Sequence, residues 1–411
     1  MLKKKYSIHL RFAKNFTWLF LFNGLGYIFS FLALPILINK YSLAQVGFIY
    51  TTQAIVLGLA SFANFSFVYY IPTVSKEICD DVEKRFQLWN LTLQIRLLLS
   101  IILLIISVII VLLFFEEFFL LYMVSLSLLI PKIINPSLFF NALEKNKYIF
   151  SIGFFSKLMF LLLIYISNDF IKVNFFLAIS EFIVIVFYLK KVHQDVFKLK
   201  RISLKQLLNY MKQTTNLFFV NIFSMLKPHS ILPIISGVFG AEFAALFTLA
   251  DKVINVIKGV SGIIFVSIFP IYNKDKLKAI VLGQYQKILL VLTPILITFI
   301  IWQTSDYLIY FLNDFNENIL ASKTLKILSL STPVFFLIIP LFSYFLQNKK
   351  WNVILLISIF QLLALAISLS LLISQNIIGV AKSIVICEYV LLGCYLYYFY
   401  NQKLNLFSFR G

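Results

Sequence analysis

Long apolar stretches, separated by short polar ones, recur along the whole chain of 411 residues. A stretch of about 20 apolar residues crosses the roughly 30 Å hydrocarbon core of a bilayer as a helix. Lipid offers no partners to backbone polar groups, so these stretches must be helical. We predict about 12 transmembrane helices, at Asn15–Ile38, Leu43–Tyr70, Thr92–Phe115, Phe118–Phe140, Tyr148–Ser167, Lys172–Leu189, Thr214–Gly237, Phe243–Tyr272, Gln284–Gln303, Thr324–Leu346, Trp351–Ile373 and Ile377–Tyr400.

The composition supports an all-α polytopic membrane protein. Hydrophobic residues make up 61% of the chain and charged residues only 13%, about half the charged fraction of soluble domains. Cys79, Cys387 and Cys394 form neither a disulfide framework nor a metal-ligand spacing. We find no phosphate-binding glycine motif and predict no ATPase and no cofactor or metal. The apolar run that follows Lys3–Lys5 is too long for a signal peptide, which predicts a retained first helix.

The basic residues are distributed unevenly between the two sides of the predicted membrane domain. Of the 36 lysines and arginines, 26 fall in loops that we assign to one side, and we count Arg96 among them; four fall on the other side and six inside helices. Basic residues concentrate in cytoplasmic loops. The pattern therefore predicts that both termini are cytoplasmic, and it explains the formal charge of +19 by topology and contact with anionic lipid.

The two halves of the chain resemble each other. An offset of 198 residues places Asn23 on Asn221, Pro35 on Pro233, Pro72 on Pro270 and Lys76 on Lys274. Each half has an even number of predicted helices, so the repeats would be parallel and related by a pseudo-twofold axis along the membrane normal. We therefore predict a six-helix bundle at 1–190, a basic cytoplasmic linker at 191–213 that is partly an amphipathic helix, and a second six-helix bundle at 214–411.

The prolines of this repeat are candidate hinges. A proline inside a helix removes a backbone hydrogen bond and kinks or loosens the helix. Pro35, Pro72, Pro233 and Pro270 occupy matched positions in the two halves. Symmetric loosened helices that face one cavity are what alternating access requires.

Charged residues inside the apolar stretches indicate the functional site. The segment 216–276 carries Lys227, His229, Asp251, Lys252 and Lys258. An ionised group at membrane depth costs roughly 2.5–3.5 kcal/mol even on the lenient insertion scale, so intramembrane charges are by default functional. We predict that these groups line a wet cavity, and the same default applies to Glu181 and Glu388.

Several short stretches resemble bacterial polysaccharide flippases. They are the first helix with its following turn, Gly24–Gly47; the loop Asn141–Tyr148; the eighth helix at Phe247–Val253; and its end at Ile268–Pro270. The chain is similar to Wzx-type O-antigen or capsule-unit flippases, in the superfamily that also holds the MATE multidrug exporters. The resemblance implies a flippase without enzymatic chemistry, in the bacterial inner membrane, that moves an undecaprenyl-pyrophosphate-linked oligosaccharide outward. Its partners would be the bilayer and the polymerase and chain-length regulator of the same pathway; no nucleic acid is implied.

This resemblance gives the charged residues specific expected roles. Lys227, Lys252 and Lys258 would attract the pyrophosphate, whose two charges are bound more strongly at low dielectric than in water. Asp251 would hold Lys258 or Lys227 until substrate competes. His229 would carry a coupled proton. The remaining candidates are Lys132 and Lys157, which would extend the basic lining, and Asn23 and Asn221, which would bind sugar hydroxyls.

Other interpretations of the same residues remain open. Lys132 and Lys382 could instead extend to the membrane interface. Asp251 could form a purely structural ion pair, and His229 could be a hydrogen-bonded packing residue. Two alternative functions are a cation-coupled multidrug exporter of the same superfamily, for which acidic cavities are expected, and a polysaccharide polymerase. The longest predicted outer loop, from Gln303 to Lys323, is short for such a polymerase.

Overall fold

The structure is a computed structural model that describes residues 17, 29, 32–74, 81–114, 118–143, 145–192, 202–275, 284–312, 318–348 and 350–401. In these ranges all regular secondary structure is helical. The first-half helices are α1 (residues 32–40), α2 (Leu43–Ala63), α3 (Phe67–Thr73), α4 (Val82–Phe114), α5 (Phe119–Ser125), α6 (Leu129–Ile134), α7 (Ser137–Ala142), α8 (Asn146–Ile166) and α9 (Val173–Val192).

The linker contains one helix, α10 (Leu204–Gln213). The second-half helices are α11 (Thr215–Phe239), α12 (Ala241–Asp275), α13 (Gln284–Leu312), α14 (Asn318–Ser329), α15 (Thr332–Gln347), α16 (Trp351–Leu372) and α17 (Asn376–Asn401). Three short 3-10 helices complete the chain trace: Leu126–Leu128 lies between α5 and α6, Phe170–Lys172 precedes α9, and Ile373–Gln375 lies between α16 and α17.

The described helices match the predicted membrane crossings. Nine stretches of the described chain are long and apolar enough to span a bilayer, and one of them, Trp351–Asn401, contains both α16 and α17. These stretches correspond to ten of the predicted helices. The 35-residue helix α12 is the predicted eighth crossing, while most of the predicted first helix lies outside the described residues.

Local sequence signals explain where several helices begin and end. Ser42 and Ser203 each start a helix with a capping box, in which the serine hydroxyl accepts from the backbone N–H three residues on. Gly240, at φ +96°, ends α11 and permits the tight turn into α12. The linker helix α10 buries Leu207 and carries lysines in its exposed part, so it is amphipathic.

Three predicted helices are interrupted, which corrects the sequence-based assignment. The second predicted helix breaks at residues 64–66, where Phe65 adopts φ +50°. The fourth breaks before α7 because Pro136 cannot donate a backbone hydrogen bond and disfavours helical geometry at Asn135. The tenth breaks at residues 330–331, between α14 and α15.

Two predicted loop assignments were wrong. Arg96, which we counted among the loop cations, lies well inside the 33-residue helix α4 and is buried. Its Nη1 donates to the carbonyls of Ile133 and Asn135 at 3.1 and 3.2 Å, and so satisfies acceptors at the break in the fourth predicted helix. The outer loop predicted at Gln303–Lys323 is largely helical, because α13 runs to Leu312 and α14 begins at Asn318.

The two halves share one hydrophobic core. The largest cluster of buried residues joins α1, α2 and α5 from the first half to α11, α12, α14 and α17 from the second. α2 packs on both α11 and α12. At the crossing with α12, Gly47 lies so close that a Cβ atom there would be 1.8 Å from the Ala241 carbonyl oxygen. The central elements of the cavity described next are therefore held at the junction of the halves.

Candidate functional site

Lysines from both halves line an internal cavity with two adjoining lobes. The lobe among the first-half helices, here the N-lobe, has a volume of about 190 Å³, and the lobe among the second-half helices, here the C-lobe, about 240 Å³. The N-lobe is lined by Lys132, Lys157, Asn174 and Glu181, and the C-lobe by Lys227, His229, Asp251, Lys252, Asn255 and Lys258. Tyr50, Gln53, Leu57 and Lys252 line both lobes.

The internal repeat reappears in the cavity wall. The offset of 198 places Tyr50, Gln53, Ala54 and Leu57 of α2 on Thr248, Asp251, Lys252 and Asn255 of α12, and all eight residues line the C-lobe. The spacing i, i+3, i+4, i+7 puts each set on one helix face. The two repeats therefore present the same face to the cavity, but only the second carries charge there.

Lys227 and Glu388 form a buried ion pair between α11 and α17. Lys227 Nζ contacts Glu388 Oε1, and the two side chains are only 16% and 4% exposed. Gln361 Nε2 on α16 donates to the second carboxylate oxygen at 3.4 Å. Breaking such a pair leaves a buried, uncompensated charge. This pair therefore ties three second-half helices together at the cavity wall.

Asp251 and Lys258 form a looser pair along one face of α12. Their charged atoms are 3.7 Å apart, and the side chains are 30% and 31% exposed. Asn255, one turn after Asp251, donates to its carboxylate, and Lys258 Nζ lies 5.2 Å from the centre of the Phe335 ring. Of the two partners that the sequence allowed for Asp251, the structure places Lys258 within ion-pair distance. Water reaches this pair, so an anionic ligand can compete with Asp251.

Lys252 occupies the boundary between the two lobes. Its Nζ lies 4.8 Å from the centre of the Tyr50 ring, across the contact between α12 and α2. An ammonium group over an aromatic face is attracted to the ring while it keeps its hydrogen-bond donors for another acceptor. Lys252 can therefore meet a ligand in either lobe.

The N-lobe has its own charged pair and a buried polar network. Lys132 Nζ lies 2.7 Å from Glu181 Oε2 on α9, so Lys132 bonds inside the cavity. Asn174 Nδ2 donates to the Ile49 carbonyl at 3.1 Å and to the Ser125 hydroxyl at 2.8 Å. These contacts fix α9 against α2 and α5 beside the lobe.

His229 and Asn221 both bond to Ser61 on α2. The distance from His229 Nε2 to Ser61 Oγ is 3.2 Å, and Asn221 Nδ2 donates to the Ser61 carbonyl at 2.9 Å. In the part of the chain that the structure describes, His229 lines the C-lobe, whereas Asn221 lines neither lobe. Asn221 thus joins α11 to α2. Its repeat partner, Asn23, lies outside the described residues.

The candidate hinge prolines are only partly described. Pro35 lies in α1, Pro72 inside α3 and Pro233 inside α11. Pro270 belongs to the backbone of α12, but its side chain lies outside the described part. The role of these prolines as hinges stays a prediction.

The charges of the site define what it can bind. Five lysines (132, 157, 227, 252 and 258) line the cavity, and three carboxylates (Glu181, Asp251 and Glu388) form ion pairs with lysines of this set, which leaves a formal charge of +2. At low dielectric a charge of this sign attracts anions strongly. Among the described residues no group of three or more His, Cys, Asp or Glu could hold a metal ion. The arrangement suits an anionic ligand.

Comparison with solved structures identifies the fold. A MOP-superfamily transporter from Pyrococcus furiosus aligns at a TM-score of 0.69 with 13% identity over 94% of both chains. The MATE transporter VcmN of Vibrio cholerae aligns at 0.63 with 14% identity over 96% of this chain and 98% of its own. An outward-facing MATE-family multidrug resistance transporter aligns at 0.64 with 13% identity over 94% of both chains. No protein-family model and no curated protein matches the sequence.

The chain therefore has the fold of the MATE and MOP-superfamily transporters. The predicted fold class is confirmed: an all-α, multi-pass membrane protein whose helices are consistent with about 12 crossings in two six-helix bundles. At identities of 13–14% the likeness concerns the fold, and the ligand has to be argued from the residues of the cavity.

Proposed function

We propose that the protein is a flippase for undecaprenyl-pyrophosphate-linked oligosaccharide units, such as an O-antigen or capsule repeat. It would move them by alternating access from the cytoplasmic to the periplasmic leaflet of the inner membrane, with both termini cytoplasmic. The observation that carries the proposal is the cavity with five lysines and three carboxylates at the junction of two helical bundles. The sequence resemblance to Wzx-type flippases supplies the particular anion.

The three lysine environments suggest a division of labour in binding. Lys252 contacts an aromatic ring and lies between the lobes, so it would be the first group to bind the pyrophosphate. Lys258 would follow when the phosphate displaces Asp251, because that pair is long and partly hydrated. Lys227 is paired with the buried Glu388. It would stay in this pair and add to the positive electrostatic potential of the site.

The membrane potential supplies a driving force for export of an anion. Moving one charge across 100 mV is worth about 2.3 kcal/mol, so the two charges of a pyrophosphate diester gain roughly 4–5 kcal/mol when they leave a negative interior. His229 would add proton coupling from the C-lobe wall. The polymerase and chain-length regulator of the same pathway would take up the exported unit.

A second candidate function is cation-coupled multidrug export. It is favoured by the fold, because the structural neighbours include MATE-family multidrug resistance transporters. The net positive charge of the cavity opposes this function, since a cationic drug would be repelled by the excess of lysines. The Pyrococcus furiosus transporter of the MOP superfamily has a binding pocket of reverse polarity, which suggests a different function for it, and this supports a difference in function between proteins of this fold.

Reconstitution in liposomes tests the proposal. Labelled undecaprenyl-pyrophosphate oligosaccharide is incorporated, and the fraction open to an external sugar-modifying enzyme is followed with time. We expect fast equilibration with the wild type, slow equilibration with Lys252→Gln, and wild-type rates with the control Lys382→Gln, because Lys382 is exposed and bonds to Gln375 away from the cavity. No equilibration by the wild type under an imposed potential and proton gradient would reject the flippase, and ethidium export by the same liposomes would favour the exporter.

A further inference from the structure

A second pocket lies away from the cavity, beside the linker helix. It has a volume of about 450 Å³, within the range of roughly 300–1,000 Å³ typical of small-molecule sites. The end of α3, the start of α4 and the helix α10 enclose it. These segments adjoin the basic loops, so the pocket belongs to the face that the sequence predicts to be cytoplasmic.

Specific contacts hold the walls of this pocket in place. The Tyr210 ring of α10 stacks on Phe67 at 5.4 Å and meets Tyr70 edge-on at 5.2 Å. The Tyr210 hydroxyl is 3.4 Å from Ser66 Oγ, and the backbone N–H of Ile202 donates to Gln94 Oε1 at 3.2 Å. The linker is thus attached to the first half just before α10 begins and again near its end, and the pocket lies between these attachments.

The lining chemistry differs from that of the central cavity. Three carboxamides (Gln87, Asn90 and Gln206), two tyrosines (Tyr70 and Tyr210) and one ammonium group (Lys84) contribute the polar atoms. Gln206 accepts the Ser203 N–H with its amide oxygen, and no acceptor among the described residues takes its own N–H groups. Carboxamides donate and accept neutral hydrogen bonds, and tyrosine rings combine an apolar face with a polar tip. This combination suits a neutral, polyhydroxylated ligand.

The position of the pocket links it to the cavity through one segment of the chain. Leu57 of α2 lines both lobes, and Tyr70 of α3 lines the pocket. These two residues are thirteen positions apart along the chain, across the break at residues 64–66 between α2 and α3. One short segment therefore connects the wall of the cavity to the wall of the pocket, so a substrate with separate pyrophosphate and sugar parts has a site for each.

We propose that this pocket binds the carbohydrate portion of the substrate on the cytoplasmic side before the pyrophosphate enters the cavity. The identity of the ligand rests on the proposed flippase function, while the pocket and its chemistry do not. In this arrangement the cavity recognises charge and the linker pocket recognises sugar, so that the two sites together select a glycosylated lipid over the bare carrier.

Protection of a single cysteine tests this inference without a transport measurement. Gln206→Cys is introduced in a chain whose three native cysteines are replaced by serine, and Asn209→Cys on the same helix is the matched control, since Asn209 is exposed and outside the lining. A water-soluble maleimide labels each protein with lipid-linked oligosaccharide extracted from the host cells, or with undecaprenyl pyrophosphate.

We expect the glycosylated lipid to slow labelling of Gln206→Cys at least about fivefold, with no effect of undecaprenyl pyrophosphate and no protection of Asn209→Cys. Equal protection by both lipids, protection of both cysteines, or no protection at all would overturn the inference. Failure of the flippase proposal has a different signature, namely no leaflet exchange by the wild type in liposomes.

Discussion

At the scale of single residues, the charges of the cavity fall into pairs that differ in burial. Lys227 and Glu388 are nearly inaccessible, whereas Asp251 and Lys258 are about one-third exposed and farther apart. A buried pair holds the fold because removing one partner strands the other, while a hydrated pair contributes little and is readily exchanged. We therefore expect Lys227 to stabilise the fold and Lys258 to bind the ligand.

A double-mutant cycle on the buried pair follows from this separation. Lys227→Met or Glu388→Gln alone should lower the melting temperature strongly, since breaking a buried pair costs about 3–5 kcal/mol, and the double variant should recover much of the loss. Thermal unfolding in detergent measures the cycle. The exposed pair Lys326 and Asp306, with side chains 28% and 66% exposed, is the control and should give about 0–1 kcal/mol. Purely additive losses at Lys227 and Glu388 would contradict a coupled pair.

His229 is the residue on which pH dependence is predicted to rest. It lines the C-lobe and contacts Ser61 on the opposite half, so a proton gained there changes a contact between the halves. His229→Gln should abolish the pH dependence of the flipping rate, and Ser61→Ala should retain it. An unchanged pH profile in His229→Gln would assign the histidine to packing.

At the scale of helices, close glycine contacts determine how α16 and α17 pack. A Cβ atom on Gly379 would lie 1.8 Å from the Leu372 carbonyl oxygen, whereas a Cβ on Gly393 of the same helix would meet no heavy atom within 4 Å. Gly379→Ala should therefore lower the melting temperature. Gly393→Ala should leave it unchanged or raise it, because alanine is about 1 kcal/mol better in a helix. Equal effects of the two substitutions, measured by thermal unfolding, would contradict the close approach.

The helices themselves were largely predictable, because apolar length is a strong signal in lipid. The interruptions were less so. The break before α7 has a local cause in Asn135 and Pro136, which the hydrophobic pattern masked. The break at Phe65 has none, since a positive φ at phenylalanine is imposed by tertiary packing. Arg96 was misplaced for a related reason: its carbonyl partners lie about 40 residues away along the chain.

The types of residue that line the cavity were visible in the sequence, but their pairing was not. Intramembrane lysines stand out because lipid penalises charge. The five that we predict to bind substrate line the cavity, and their role in binding stays a prediction. The partners Glu388 for Lys227 and Glu181 for Lys132 come from distant helices. Gln53 was missed although the repeat offset places it on Asp251, because an uncharged residue gives no such signal.

At the scale of the whole molecule, the proposed alternating access would require the two halves to move relative to each other where α2 packs on α12. Gly47 permits their backbone contact at Ala241. Gly47→Val should hold the halves apart and slow flipping at least about tenfold, whereas Gly393→Val, which meets open space, should be much less harmful. Leaflet exchange in liposomes measures both. Wild-type rates in Gly47→Val would show that this contact is dispensable for the transport cycle.

If the cavity between the two helical bundles binds an anionic lipid head, the purified protein should retain anionic lipids in preference to neutral or cationic ligands. Native mass spectrometry with undecaprenyl pyrophosphate, uncharged undecaprenol and the cation ethidium compares the three in the wild type and in Lys252→Gln. We predict that the wild type selectively retains undecaprenyl pyrophosphate and that Lys252→Gln retains it at least about tenfold more weakly. Preferential retention of ethidium, or equal retention of both polyprenyl lipids, would contradict it.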